Sequence, residues 1–280
     1  MTAHDRFAVN TYSYTLDGSV QDCLSRLADQ GFREFELMLY PNHLWPATLD
    51  SGARAGLSRL LSSRGLAVRT INQPNVDINL AGAATEMRAY SLNLVRAGVE
   101  FAGDLGAEGV VIGPGKGNPL FPAPAERMMD WFFAALDDLL PVARRSGTRL
   151  LVENMPFCFL PDADGLMAAL DRYGADDIGV VYDIANAHFI GEDLVAGFAR
   201  VAPRLHTVHL SDTGRQVYKH DPVGLGNVDF AAALKGARAI GHDRIPILEI
   251  ISRDPDRDIP DSAARLAQVG WDGAASRASS

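Results

Sequence analysis

The chain of 280 residues predicts an α/β fold, a single-domain (β/α)8 TIM barrel, on three observations. Short apolar and β-branched runs alternate with longer amphipathic stretches from one end to the other. No long linker or low-complexity insert breaks that rhythm, which implies parallel strands joined by helical crossovers. Eight such pairs fit into about 270 residues, a usual size for a closed barrel. An open doubly wound sheet would carry a glycine-rich dinucleotide fingerprint after its first strand, and Asn10-Thr11-Tyr12-Ser13 is nothing like one.

In order, residues 7–14 read as a strand and 20–30 as an amphipathic helix closed by Gly31. Strand 33–39 carries Glu34 and Glu36, and helix 51–64 ends at Gly65. Strand 67–72 runs into a polar loop through Pro74 and Asn79, and the long helix 86–105 is stopped by Gly106. Strand 109–112 opens into Gly113-Pro114-Gly115-Lys116-Gly117, which lacks Walker spacing and reads as a plain turn into helix 124–145, rich in Leu, Ala and Phe. The second half repeats the pattern with strands 149–154, 179–183, 205–212 and 245–251. Helices follow them at 164–173, 193–202, 230–240 and 261–269. The barrel is expected over residues 1–270, with a small, polar and flexible tail at 271–280.

Composition narrows the function classes. A formal charge of -9 argues against nucleic acid as the main partner, because phosphate binding calls for a basic surface. Cys23 and Cys158 are too few for a disulfide framework and suit a reducing compartment. The first residues lead into no apolar signal segment, and no apolar run approaches the ~20 residues of a membrane span. A soluble, cytoplasmic protein is expected.

Four strands end in side chains that a metal uses and a hydrophobic core avoids. They are Leu150-Leu151-Val152-Glu153, Gly179-Val180-Val181-Tyr182-Asp183, Leu205-His206-Thr207-Val208-His209 and Ile245-Pro246-Ile247-Leu248-Glu249. Side chains alternate faces along a strand, so Glu153 shares a face with Leu151, Asp183 with Val181, His209 with Thr207, and Glu249 with Ile247. With those faces inward, the four polar groups rise together at the C-terminal mouth, where barrel active sites are built. Three carboxylates so close would repel and take up protons unless a cation held them. A divalent ion resolves this. Mostly oxygen with one imidazole leans towards Mn²⁺, with Mg²⁺ and Co²⁺ as alternatives, and the same donors serve Zn²⁺.

The stretches Val152-Glu153-Asn154, Tyr182-Asp183-Ile184-Ala185-Asn186, Val208-His209-Leu210-Ser211-Asp212, Gly224-Leu225-Gly226-Asn227-Val228-Asp229-Phe230 and Leu248-Glu249 resemble the xylose isomerase-like TIM barrels. That family includes ketose 3-epimerases, hydroxypyruvate isomerases, inosose and 3-dehydroshikimate dehydratases and the endonuclease IV nucleases. The resemblance implies that Glu153, Asp183, His209 and Glu249 hold one metal ion, and that Glu153 and Glu249 are the acid–base pair. It also implies that Arg215 contacts substrate and that the chain pairs as a homodimer or homotetramer. The epimerases carry histidine where this chain has Asn186, and His188 two residues on is a candidate replacement. A substrate-binding glutamate of the family is replaced by Phe159, which hints at a substrate less polar than a free hexose. The nucleases need histidines where Asn72 and Gly113 stand, which speaks against that branch.

The expected function is a sugar isomerase or epimerase acting on a small polyhydroxylated ketone or aldehyde. Proton abstraction through a metal-stabilised enediolate is common to epimerisation, isomerisation and dehydration, so a lyase of the same family is the alternative. A non-catalytic sugar-binding subunit and a nuclease stand further back. Other candidate substrate contacts are Glu36, Asn72, Asn186, His188 and Asp212. Lys219 and His220 read equally as solvated loop residues, and Trp45, Phe157 and Phe159 as an apolar wall or as core.

Overall fold

The apolar runs become strands buried on both faces, as parallel sheets require. They are β1 (Ala8–Asn10), β2 (Glu34–Met38), β3 (Ala67–Asn72), β4 (Gly109–Ile112), β5 (Arg149–Glu153), β6 (Gly179–Asp183), β7 (Leu205–Leu210) and β8 (Ile247–Leu248). In the computed structural model, which describes residues 3–271, the strands pair parallel in chain order. Ala8 opposite Ile247 closes the barrel.

The crossovers are α1 (Val20–Asp29), α2 (Ser51–Arg64), α3 (Thr85–Leu105), α4 (Ala125–Ser146), α5 (Ala163–Tyr173), α7 (Leu194–Val201), α8 (Phe230–Ala239) and α9 (Pro255–Val269). Side chains of Ser19, Asp50, Asp162, Asp193 and Asp229 accept free backbone N–H groups at five helix starts. Gly147 ends α4 at φ 71°, a left-handed conformation that side chains resist.

Four elements differ markedly from expectation; α9 starts at Pro255 rather than 261, with proline in its first turn. β1 stops at Asn10, whose side-chain oxygen accepts the Tyr12 N–H at 2.7 Å and turns the chain into a 3-10 helix over Tyr12–Tyr14. β8 is short, since Pro246 has no N–H to give the ladder. An extra helix, α6 (Ile184–Ile190), springs directly from the end of β6 and is capped by Asp183.

Inside the barrel, Val111, Leu151 and Val181 form a small separate cluster beneath the mouth. Leu151 fits there because its neighbours on β4 and β6 are glycines. A β-carbon at Gly109 or Gly179 would overlap its methyl groups.

The opposite end of the barrel is tied by charge. Arg69 bridges Glu34 and Glu108, Arg244 also reaches Glu108, and His206 Nε2 lies 3.2 Å from Glu108 Oε2. The His206 hydrogen bond, opposed by burial and helped by Arg69, holds the Glu108 carboxyl at about 2. Its stabilising contribution is therefore present above pH 4.5 and lost as pH falls through about 2. Arg69→Ala is expected to lower stability by about 1–2 kcal/mol, between surface and buried pairs. An unchanged urea midpoint would show the network to be idle.

Packing continues to Trp271, which is buried and donates its indole N–H to the Phe230 carbonyl at 3.0 Å. Residues 272–280 of the expected tail lie outside the described residues.

Candidate metal centre

Glu153 ends β5, Asp183 ends β6, His209 sits one residue before the end of β7, and Glu249 follows β8 directly. One donor atom from each lies within 4.8 Å of all the others. His209 Nδ1 is 3.2 Å from Glu153 Oε1, 3.1 Å from Glu249 Oε2 and 3.8 Å from Asp183 Oδ2. Asp183 Oδ1 accepts the Asn186 backbone N–H at 2.7 Å, whereas Asp183 Oδ2 is buried with no hydrogen-bond partner among the described residues. A buried oxygen with nothing to bind is costly unless a further group completes it. These donors fit one divalent cation.

Burial pushes the Glu153 carboxyl up to about 7, with Asp183 and Glu36 adding to the rise and His209 opposing it. Burial likewise raises Asp183 to about 7, against the pull of His220, and Glu249 moves in the same direction. His209 is held well above its ordinary value, because Glu36 and Glu249 outweigh the effect of its burial. The cluster thus keeps a proton or a cation at its centre.

Glu36 does not reach the mouth as a substrate contact. It is wholly buried behind the imidazole, 3.2 Å from His209 Nε2. Asn10, Thr70 and Asn72 donate to its oxygens at 2.6, 2.6 and 3.0 Å. Burial works to raise its pKa, but His209 and the Thr70 and Asn72 hydrogen bonds prevail and lower it. With Nε2 committed to Glu36, the other nitrogen, Nδ1, faces the carboxylates.

A cavity of about 420 Å³ opens onto Glu153 and Glu249. Asn72, Asn75, Lys219, His220 and Tyr218 line it beside Met38, Val76 and Ile251. Of the expected substrate contacts, Asn72 alone is on this wall. Asp212 spends its oxygens on the backbone N–H groups of Thr213, Gly224 and Val228, which shapes the glycine-rich loop. Arg215 is exposed and away from the cavity wall. His188 pairs with Asn227 at 2.8 Å and is not among the residues lining the cavity. Asn186 touches Glu153 and Asn154 without reaching the cavity.

Phe159 packs edge-on against Phe132, so the replacement of a polar residue there says nothing about substrate polarity. Trp45 packs against the core, while Phe157 is largely exposed beside Phe189 and Tyr218. Lys116 donates to the carbonyls of Asn75 and Val76.

Sequence reasoning missed Asn10 and Tyr218 and undervalued His220. Asn10 is paired in register with Glu36 and also reaches Glu249 at 3.4 Å. The period-two test used on strands five to eight finds it when applied to β1. His220 is buried, 3.4 Å from Glu249 and 3.7 Å from Asp183. It sits on a loop with no periodic signal.

A family model described as xylose isomerase-like TIM barrel matches residues 24–269. The L-ribulose 3-epimerase of Mesorhizobium japonicum is 24% identical over 243 residues, covering 85% of this chain and 78% of that one. A crystal structure of a D-tagatose 3-epimerase-like protein superposes with a TM-score of 0.81 at 21% identity, covering 94% of this chain and 96% of the other. The IOLI protein, in a crystal structure with a binding zinc atom, superposes at 0.80 and 15% identity, covering 97% and 100%. Among the described residues no helix is long and apolar enough to cross a membrane.

Proposed function

From the chain's membership of the xylose isomerase-like TIM barrel family, we propose that it is a divalent-metal-dependent isomerase or epimerase of a small polyhydroxylated ketone or aldehyde. The observation that carries this reading is the buried set Glu153, Asp183, His209 and Glu249, with the unpartnered Asp183 Oδ2 in its midst. Those four residues would hold the cation, and oxygen-rich donors with one imidazole favour Mn²⁺. The zinc found in a structural relative makes Zn²⁺ the alternative to test by metal analysis. When bound, the ion supplies positive charge beside a substrate carbonyl and so acidifies the neighbouring C–H.

The proton work falls to the protein. Glu153 and Glu249 both line the cavity and are the carboxylates placed to take and give a proton. One glutamate takes the proton from the carbon beside the carbonyl and keeps it, while the other delivers a solvent-derived proton of its own to the opposite face. Asn10 and Asn72 approach Glu249 Oε1 at 3.4 and 3.5 Å and orient it. The cavity of about 420 Å³ lies in the range of small-molecule sites. The named epimerases among the relatives point to a ketose. A homodimer or homotetramer in the cytoplasm is the expected setting.

Incubating the Mn²⁺-loaded protein with pooled ketoses and cyclic keto-polyols in deuterium oxide tests the reading. One deuterium on carbon, with inversion or isomerisation and no loss of water, is the expected result. An absorbing enone product would move the protein to the lyases, and nicking of abasic DNA to the nucleases. Ligand binding without any exchange would leave a sugar-binding subunit.

Glu36→Gln offers a separate check, because a neutral amide orients the imidazole less firmly. It is expected to weaken Mn²⁺ binding by about 10-fold or more. Wild-type affinity in that variant would reduce Glu36 to a filler of the barrel.

A further inference from the structure

The loop between β7 and α8 folds back across the mouth. Asp212 and Asp221 exchange backbone hydrogen bonds of 2.8 and 2.7 Å and close off its first half. Between them, Tyr218 and His220 enter a string of hydrogen bonds that runs to Glu153. Ser211 Oγ is 2.9 Å from His220 Nδ1, His220 Nε2 is 2.8 Å from the Tyr218 hydroxyl, and that hydroxyl donates to Asn186 Oδ1 at 2.7 Å. Asn186 Nδ2 donates to the Asn154 carbonyl at 2.8 Å and reaches Glu153 Oε1 at 3.5 Å.

The direction of this string follows from one atom. The Asn154 carbonyl only accepts, so the amide nitrogen of Asn186 must face it and Asn186 Oδ1 must face Tyr218. The phenol has a single hydrogen, which goes to Asn186. Its oxygen then accepts from His220 Nε2–H, and the bare Nδ1 accepts from Ser211. The other tautomer of His220 would draw the phenol hydrogen to itself and leave Asn186 Oδ1 without a donor.

We propose that Tyr218 and His220 are positioning residues that hold Asn186 against Glu153 and thereby set the orientation of the Glu153 carboxylate. The inference rests on the metal-dependent reading above.

Mn²⁺ affinity and steady-state kinetics of the full chain test it together. Tyr218→Phe and Asn186→Ala are each expected to weaken Mn²⁺ binding and lower kcat by about 10-fold, the usual effect of losing an outer partner of a ligand. KM should stay within about twofold, and the double variant should be no worse than Asn186→Ala, because the two residues act in series. His220→Gln keeps a donor for the phenol and should stay within about threefold of wild type, whereas His220→Leu should match Tyr218→Phe. The pair His220→Gln and His220→Leu also serves if Tyr218→Phe does not fold. Multiplying losses in the double variant overturn the proposal. So does a raised KM with unchanged kcat and Mn²⁺ affinity, which would make Tyr218 a substrate contact. A wild-type protein that neither binds Mn²⁺ nor exchanges solvent protons brings down the parent reading instead, and this inference with it.

Discussion

Glu153→Gln is expected to lower kcat by about 10³-fold while the barrel still folds, and Glu249→Gln to do the same. Glutamine keeps the shape of each side chain but cannot carry the proton, and as a weaker ligand it calls for turnover to be read at saturating Mn²⁺. Both sites tolerate the swap structurally, since a neutral amide relieves a crowded set of acids whose pKa values burial already raises. The two losses should not multiply, because a proton taken and a proton returned are steps of one cycle. Isotope exchange separates the partners. Each single variant should retain slow exchange on the face served by the surviving glutamate, without inversion at carbon. Wild-type turnover in either variant would remove that glutamate from the acid–base role.

Stripping the divalent ion is expected to abolish turnover and to lower the melting temperature by about 5 °C at pH 8, relative to protein with metal at 100 times its dissociation constant. Glu153 and Asp183 titrate at about 7 when folded, above their ordinary 4.5 and 3.8. The folded, metal-free state therefore binds more protons than the unfolded chain between those values and pH 7. Their favourable contribution is complete below the unfolded values and disappears as pH rises through about 7. Chelated protein should melt higher at pH 5.5 than at pH 8, while a bound dication removes the part of that difference that comes from the centre. Glu192, also raised to about 7 by burial, titrates in both forms, so the contrast between loaded and stripped protein isolates the centre. Identical pH profiles for the two forms would place the ion elsewhere.

Much of this was legible before any coordinates. The strand–helix alternation and the two-residue period along β5 to β8 place Glu153, Asp183, His209 and Glu249 on one face at one end, and the structure puts them there. The period does not say which acid stands in front and which behind. Glu36 obeys the same rule as Glu153, yet it lies under the imidazole because Asn10, Thr70 and Asn72 receive it there. The orientation of His188 depends on α6, which the strand pattern does not announce. On a helix two residues turn about 200°, so a side chain at 188 faces away from one at 186. Tyr218 and His220 were the hardest to read, since their place depends on a backbone pairing between Asp212 and Asp221 that no side-chain pattern announces.

Leu151 stands two residues below Glu153 on β5, between the bare backbones of Gly109 and Gly179. The three positions share a single volume, so a methyl added at 109 or 179 forces bulk to be shed at 151, and the floor beneath Glu153 shifts with that trade.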